Sequence, residues 1–138
     1  MAYLTLKLAA YHRGMDVYER VRQYHWSFFI VTSIEAHTYG IAHQLRGMPG
    51  AFFYRGPEPG VALDKSSMLK HELDVGEIEA SKIDRVHEIL STVSIDQVES
   101  SGWNCQNWAI DGFLKLQQEG LAYDHLTVEQ IKNWFREA

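Results

Sequence analysis

The stretch Tyr24–Thr32 (YHWSFFIVT) constrains the fold more than any other part of the chain. Aromatic and β-branched residues at this density favour an extended, pleated strand. A short polar loop, Ser33–His37, leads to a second extended stretch, Thr38–Arg46 (TYGIAHQLR), and so brief a connection predicts an antiparallel hairpin. Parity then sorts the side chains. His25, Ser27, Phe29 and Val31 project from one face of the first strand, and Trp26, Phe28 and Ile30 from the other. Tyr39, Ile41, His43 and Leu45 share a face of the second. A turn centred on residue 34 or 35 sets His25 and His43 on one face, as direct or diagonal neighbours about 5–8 Å apart.

The remaining segments are graded by the same tests. Tyr3–Tyr11 alternates as a strand, and a short helical turn is expected over Asp16–Arg22 in the polar segment 12–23. Ala51–Arg55 is a short strand, GPEPG at 56–60 an exposed turn or loop, and Met68–Ile78 a further strand with a bulge or bend at Gly76. From Glu79 to Val93 the period becomes helical through Ile83, Val86, His87, Leu90 and Val93. A longer helix runs from Cys105 to a stop at Gly120, with Ser100, Ser101 or Asn104 as its cap. Cys105, Trp108, Ala109, Gly112, Phe113 and Leu116 form its apolar face. Thr127 caps a last amphipathic helix. Strands first and helices after predict one α+β domain over residues 1–138. It has an antiparallel sheet of about four to five strands packed against the Cys105 helix and one or two further helices.

Charge and cysteine usage exclude several classes. A net charge of −5 without a basic cluster argues against nucleic acid as a partner. The single cysteine cannot form an internal disulfide, which implies a reducing compartment. Residues 1–11 lack the basic leader and apolar run of a secretion signal, and no stretch is apolar for long enough to span a bilayer. A soluble, cytoplasmic protein without cofactor, acting on a small molecule or peptide, is the expectation.

Cys105 falls in the first turn of its helix, where free N–H groups and the helix dipole favour a thiolate. The competing reading is a small buried hydrophobe, as most free cysteines are. A thiol, an imidazole and a polar group to orient the imidazole are the minimum kit for cysteine nucleophilic catalysis. His25, His43 and Cys105 supply it, with His37 a rival for the orienting role.

Three segments carry a resemblance. They are Tyr24-His25-Trp26 ahead of an apolar strand, Gly40-Ile41-Ala42-His43 on the next, and Asn104-Cys105-Gln106-Asn107-Trp108 opening a helix. In this order they resemble the circularly permuted papain-like fold, in particular the lecithin retinol acyltransferase-like thiol hydrolases and acyltransferases. They are also similar to small fungal proteins with His-Trp and Asn-Cys-Gln-x-Trp segments. The resemblance implies hydrolysis or acyl transfer on an amide or ester through a Cys105 thioester, with His25 as base and His43 orienting it. Backbone N–H groups at the helix start, with Gln106 or Tyr24, would hold the oxyanion. Gln106 and Asn107 stand where that family has a glutamate and a histidine. Two alternatives stay open: a zinc site of His25, His43 and Cys105, and a non-catalytic small-molecule-binding module. In the latter Trp26, Phe52, Phe53, Tyr54 and Trp103 would line the pocket. His12, His71, His87 and His125 read as surface or helix-packing residues.

Overall fold

The computed structural model describes residues 2–14, 18 and 23–136. Strands β1 (Tyr3–Tyr11), β2 (His25–Ile34), β3 (Thr38–Arg46), β4 (Phe53–Ala62) and β5 (Leu69–Glu79) form one antiparallel sheet in the order β4-β3-β2-β1-β5. Helices α1 (Ile83–Leu90), α2 (Cys105–Gln118) and α3 (Val128–Trp134) follow. The α+β class and the order of strands before helices are as the sequence pattern predicts. None of these helices is long and apolar enough to cross a membrane.

Helix α2 packs over one face of the sheet. Cys105, Trp108, Ala109, Gly112, Phe113 and Leu116 are buried there, in one core with Leu6, Leu8, Trp26, Phe28, Ile30 and Leu45. This is the apolar stripe that the 3.6-residue period marks out. Asn104 begins the helix with a capping box: its side chain accepts from Gln106 N–H, and Asn107 Oδ1 accepts from Asn104 N–H. The helix comes close to its neighbours at Gly112, where a Cβ would stand 2.8 Å from Leu90 Cδ2 and 3.2 Å from Phe28 Cε2. On the opposite face a smaller core gathers Ala9, Phe29, Val31, Ala42 and Leu63.

The β2–β3 register departs from the predicted one. Next to the turn Ile34 pairs with Thr38 and Ser33 with Tyr39. Past a shift at Thr32 the pairs become Val31 with Gly40, Phe29 with Ala42, Phe28 with His43 and Ser27 with Gln44. Thr32 is the extra residue of a bulge, and one extra residue moves everything beyond it to the other face of the partner strand. Had the turn register continued, His43 would stand opposite Phe29, on the face of His25.

Three further expectations change. The GPEPG turn lies inside β4, the edge strand beyond β3. Its prolines fall at the two register shifts flanking the Ala42–Glu58 pair, where the ladder is interrupted and a missing N–H costs nothing. The helical stretch over Glu79–Val93 contracts to α1, because Glu79 ends β5 and residues 80–82 make a 3-10 turn. The turn over Asp16–Arg22 lies outside the described residues.

Gly112→Val should lower the unfolding free energy by about 1–3 kcal/mol, the usual cost of overpacking. The exposed neighbour Lys115→Ala should stay within about 0.5 kcal/mol. Urea denaturation of the two variants measures both.

Candidate functional site

The Thr32 bulge places the two histidines on opposite faces of the sheet. His43, opposite Phe28, lies beneath α2 and is completely buried. His25, paired with Tyr11 of β1, is half-buried on the other face with Ser27 and Gln44. The common histidine face predicted from parity is therefore not formed.

Cys105 opens α2 and is 4% exposed. Its thiol donates weakly to the Tyr24 carbonyl at 3.9 Å, and Gln106 Nε2 donates to the same oxygen at 2.9 Å. Tyr24 and Trp26, the neighbours of His25, both belong to the core on the helix side. The sulfur thus lies against the backbone of β2, with the His25 imidazole on the far side of the strand. His25 Nε2 is taken by Gln44, and His43 Nε2 has no hydrogen-bond partner, so the sulfur bonds to neither. Burial pushes the thiol pKa up, outweighing the Trp26, Cys105 and Gln106 N–H groups and the Arg13 charge, all of which pull it down.

The other predicted residues are placed as follows. The Tyr24 ring is buried between His12 and His71, with centroids 5.7 and 5.9 Å away. Half-buried Trp103 packs edge-on against Phe52 at 5.6 Å. His37, beyond the end of β2, stands 3.4 Å from the Asp64 carboxylate and orients neither histidine. The zinc alternative fails on geometry: its ligands lie on two sides of the sheet. Among the described residues no group of three His, Cys, Asp or Glu side chains could hold a metal ion.

What the fold does assemble is two polar chains, one per face. On the open face Arg55 Nε lies 3.2 Å from Glu58 Oε2, Gln44 Nε2 donates to Glu58 Oε1 at 2.8 Å, and Gln44 Oε1 meets His25 Nε2 at 2.7 Å. A carboxylate only accepts, so the Gln44 amide is fixed with its oxygen toward the imidazole. His25 must then donate from Nε2. In the neutral ring the lone pair is on Nδ1, which has no partner among the described residues. Burial lowers the His25 pKa, with the Gln44 bond opposing and Arg13 and Arg46 reinforcing that shift, which favours the neutral ring.

Under α2, Tyr54 Oη bridges His43 Nδ1 at 2.7 Å and His87 Nδ1 at 2.9 Å. A hydroxyl donates one bond, so one imidazole donates to it and the other accepts. The less costly order has His43 Nδ1–H donating to Tyr54 and Tyr54 donating to His87. Only a lone pair, rather than an N–H, is then left unpaired in the core. Gly56 roofs this chain: a Cβ there would stand 2.7 Å from the Tyr54 hydroxyl and 2.8 Å from His43 Nδ1. Burial, helped by His87 and opposed by Glu58, pushes the His43 pKa down to about 4.

A pocket of about 290 Å³ opens beside His25, lined also by Arg13, Leu45, Arg46, Met48 and Phe52. Gln44 lines only an adjoining hollow, of about 360 Å³, that shares His25 and Arg46. His25 lines both hollows, and Nδ1 is the ring nitrogen that Gln44 does not engage. Phe52, which sequence reasoning placed in a ligand pocket, does line the first of them. Its backbone is clamped by Gln97, which accepts from Phe52 N–H at 3.0 Å and donates to its carbonyl at 2.7 Å. Gln44 and Arg46 escaped sequence reasoning because their face is set by the bulge, and Glu58 because it lies in a strand that reads as a turn. His87 left a signal, a histidine within an otherwise apolar helical stripe.

These features define an α+β domain with a fixed histidine at the mouth of a small pocket. Residues 15–122, well over half of the chain, match the model of a family of unknown function, DUF6540, and the chain belongs to that family. No curated protein and no solved structure matches it.

Two predictions follow from the burial of Cys105 and His43. Native Cys105 should alkylate slowly with iodoacetamide, faster toward alkaline pH and fully in denaturant, with a profile unchanged in His25→Ala. Labelling that persists at pH 6 and is lost in His25→Ala would restore the thiol–imidazole pair. For His43 the unfolded chain binds a proton below 6.5 and the folded chain only below about 4. Its contribution is complete above 6.5 and is lost as pH falls through that window, by up to about 3 kcal/mol. Denaturation curves across pH 4–7 should be flatter by that amount in His43→Gln.

Proposed function

We propose that the domain binds a small molecule in the pocket beside His25, with the imidazole Nδ1 as the hydrogen-bond acceptor for the ligand. The observation that carries this reading is the Arg55–Glu58–Gln44–His25 chain. It fixes both tautomer and ring orientation and leaves Nδ1 as the acceptor of an imidazole that lines a pocket. Holding a half-buried imidazole in one orientation removes an entropic cost from binding, which is the use of preorganisation. The clamped Phe52 supplies an apolar wall of fixed position. In a catalytic setting the same arrangement is that of an oriented general base.

A second reading, thiol-dependent hydrolysis or acyl transfer at Cys105 on a permuted papain-like fold, draws on the sheet-then-helix order. It draws also on the thiol's place at the first residue of α2, beside N–H groups that favour a thiolate. It requires the first turn of α2 to part from Tyr24 so that the sulfur reaches solvent and a base. The alkylation profile above separates the two readings.

The binding reading is tested with an aromatic fragment library titrated into isotopically labelled protein. Saturable shifts should appear at the His25 ring and at Phe52. Gln44→Ala, which frees the ring, should weaken the hits several-fold, and His25→Ala should weaken them further with the fold retained. Hits that move neither residue would overturn the proposal.

A further inference from the structure

Cations of this acidic chain divide into those held in ion pairs and those, such as Lys65, Lys70, Lys82, Lys115, Lys132 and Arg136, that stand in none among the described residues. Lys7 is paired with Glu72 and Asp74, Arg55 with Glu58, and Arg85 with Glu88 and Glu119. Arg13 and Arg46 have no carboxylate partner among the described residues, and both line this pocket. Among the described residues no acidic side chain lines it with them. Both guanidiniums bear on the His25 ring. The remaining wall is Leu45, Gly47, Met48, Pro49 and Phe52, largely apolar and partly aromatic. In a chain of net charge −5, two arginines lining one cavity, without a carboxylate partner among the described residues, leave a local positive field that an anion would neutralise. Guanidinium groups match the paired oxygens of carboxylate and phosphate.

Resting on the binding reading above, we infer that the ligand is a small organic anion: a carboxylate or phosphate held by Arg13 and Arg46, with an adjacent hydroxyl or N–H donating to His25 Nδ1 and a flat apolar body against Met48 and Phe52. Each part answers one feature of the pocket. The anionic group meets the unpaired charge. The neighbouring donor meets a ring whose other nitrogen is already committed to Gln44. A volume of about 290 Å³ lies at the small end of ligand sites and suits one ring with short substituents. Inorganic phosphate would meet the arginines alone.

The test uses the full chain and four probes by calorimetry, with ring resonances of His25 as a second readout: mandelate, phenylacetate, mandelamide and inorganic phosphate. Mandelate should bind tightest and shift the His25 signals. Phenylacetate, which lacks the hydroxyl, should bind several-fold more weakly, and mandelamide, which lacks the charge, about tenfold or more. Arg13→Gln and Arg46→Gln should each cost about tenfold for mandelate, and His25→Ala should erase the difference between mandelate and phenylacetate. Both arginines are exposed, so their variants should fold, and amide spectra check this. Mandelamide binding as tightly as mandelate at His25 would overturn the anion inference while leaving the pocket reading intact. So would arginine variants that change nothing. Phosphate matching mandelate in every variant would mark adventitious surface attraction and overturn the inference as well. If no probe shifts His25 and the fragment library does not either, the pocket reading falls with it.

Discussion

The register of the β2–β3 ladder, and within it the extra residue at Thr32, governs what every functional side chain of this protein can touch. Successive residues of a strand point to opposite sides, so a one-residue slip exchanges the two faces of the partner strand. Here the exchange is made inside the strand, between pairs that follow the turn and pairs that do not. The apolar set Trp26, Phe28 and Ile30 faces α2, and the bulge matches it with His43 and Leu45 on the same side. It also matches Ser27 with Gln44 on the open face. Burying Phe28 and Leu45 together is worth several kcal/mol, whereas an exposed bulge costs little. Packing of the apolar face therefore selects the register, and the placement of the histidines follows from it.

One consequence is that His43 and Gln44, adjacent in sequence, serve separate polar chains divided by the thickness of the sheet. His43 joins Tyr54 and His87 in the dry interior, where hydrogen bonds are strong and an added charge is expensive. Gln44 joins Glu58 and His25 on the half-wet face, where a histidine can be held neutral and still meet a ligand. The first arrangement makes acid the enemy of the fold. The second supplies the proposed recognition element, and Arg55 at its far end anchors the carboxylate that fixes the whole chain.

Much of this architecture is legible in the sequence, for reasons that separate cleanly. Aromatic and β-branched density marks β2, the loop length marks the hairpin, and the period from Cys105 to Leu116 marks the buried face of α2 residue by residue. The caps at Asn104 and Thr127 carry capping-box residues three positions on. These signals are local, so local reasoning finds them. The bulge has no local signature, since Thr32 is an ordinary strand residue and its irregularity follows from packing the apolar face of the strand against α2. The Pro-rich edge of β4 misleads in the other direction: GPEPG has turn chemistry, but an edge strand with register shifts tolerates it. The site inherits both errors, because the company of His25 is decided by register and that of Glu58 by β4.

The position of Cys105 shows how packing and chemistry are coupled at the seam between α2 and β2. A helix N-terminus favours thiolate, typically by a fraction of a kcal/mol to a few at a buried end, and three backbone N–H groups and Arg13 act in that direction. Burial acts against them and is the largest influence on the thiol. The same carbonyl, that of Tyr24, receives both the thiol and the Gln106 amide, and Asn104 is tied to Gln23 beside it. Exposing the sulfur means breaking all of these contacts at once and unseating the first turn of α2 from the strand. Any thiol chemistry would thus carry the cost of opening the seam, whereas the His25 pocket, lined by Arg13, Leu45, Arg46 and Phe52, stands open and requires no such opening. That difference in cost favours the histidine over the cysteine as the proposed ligand site.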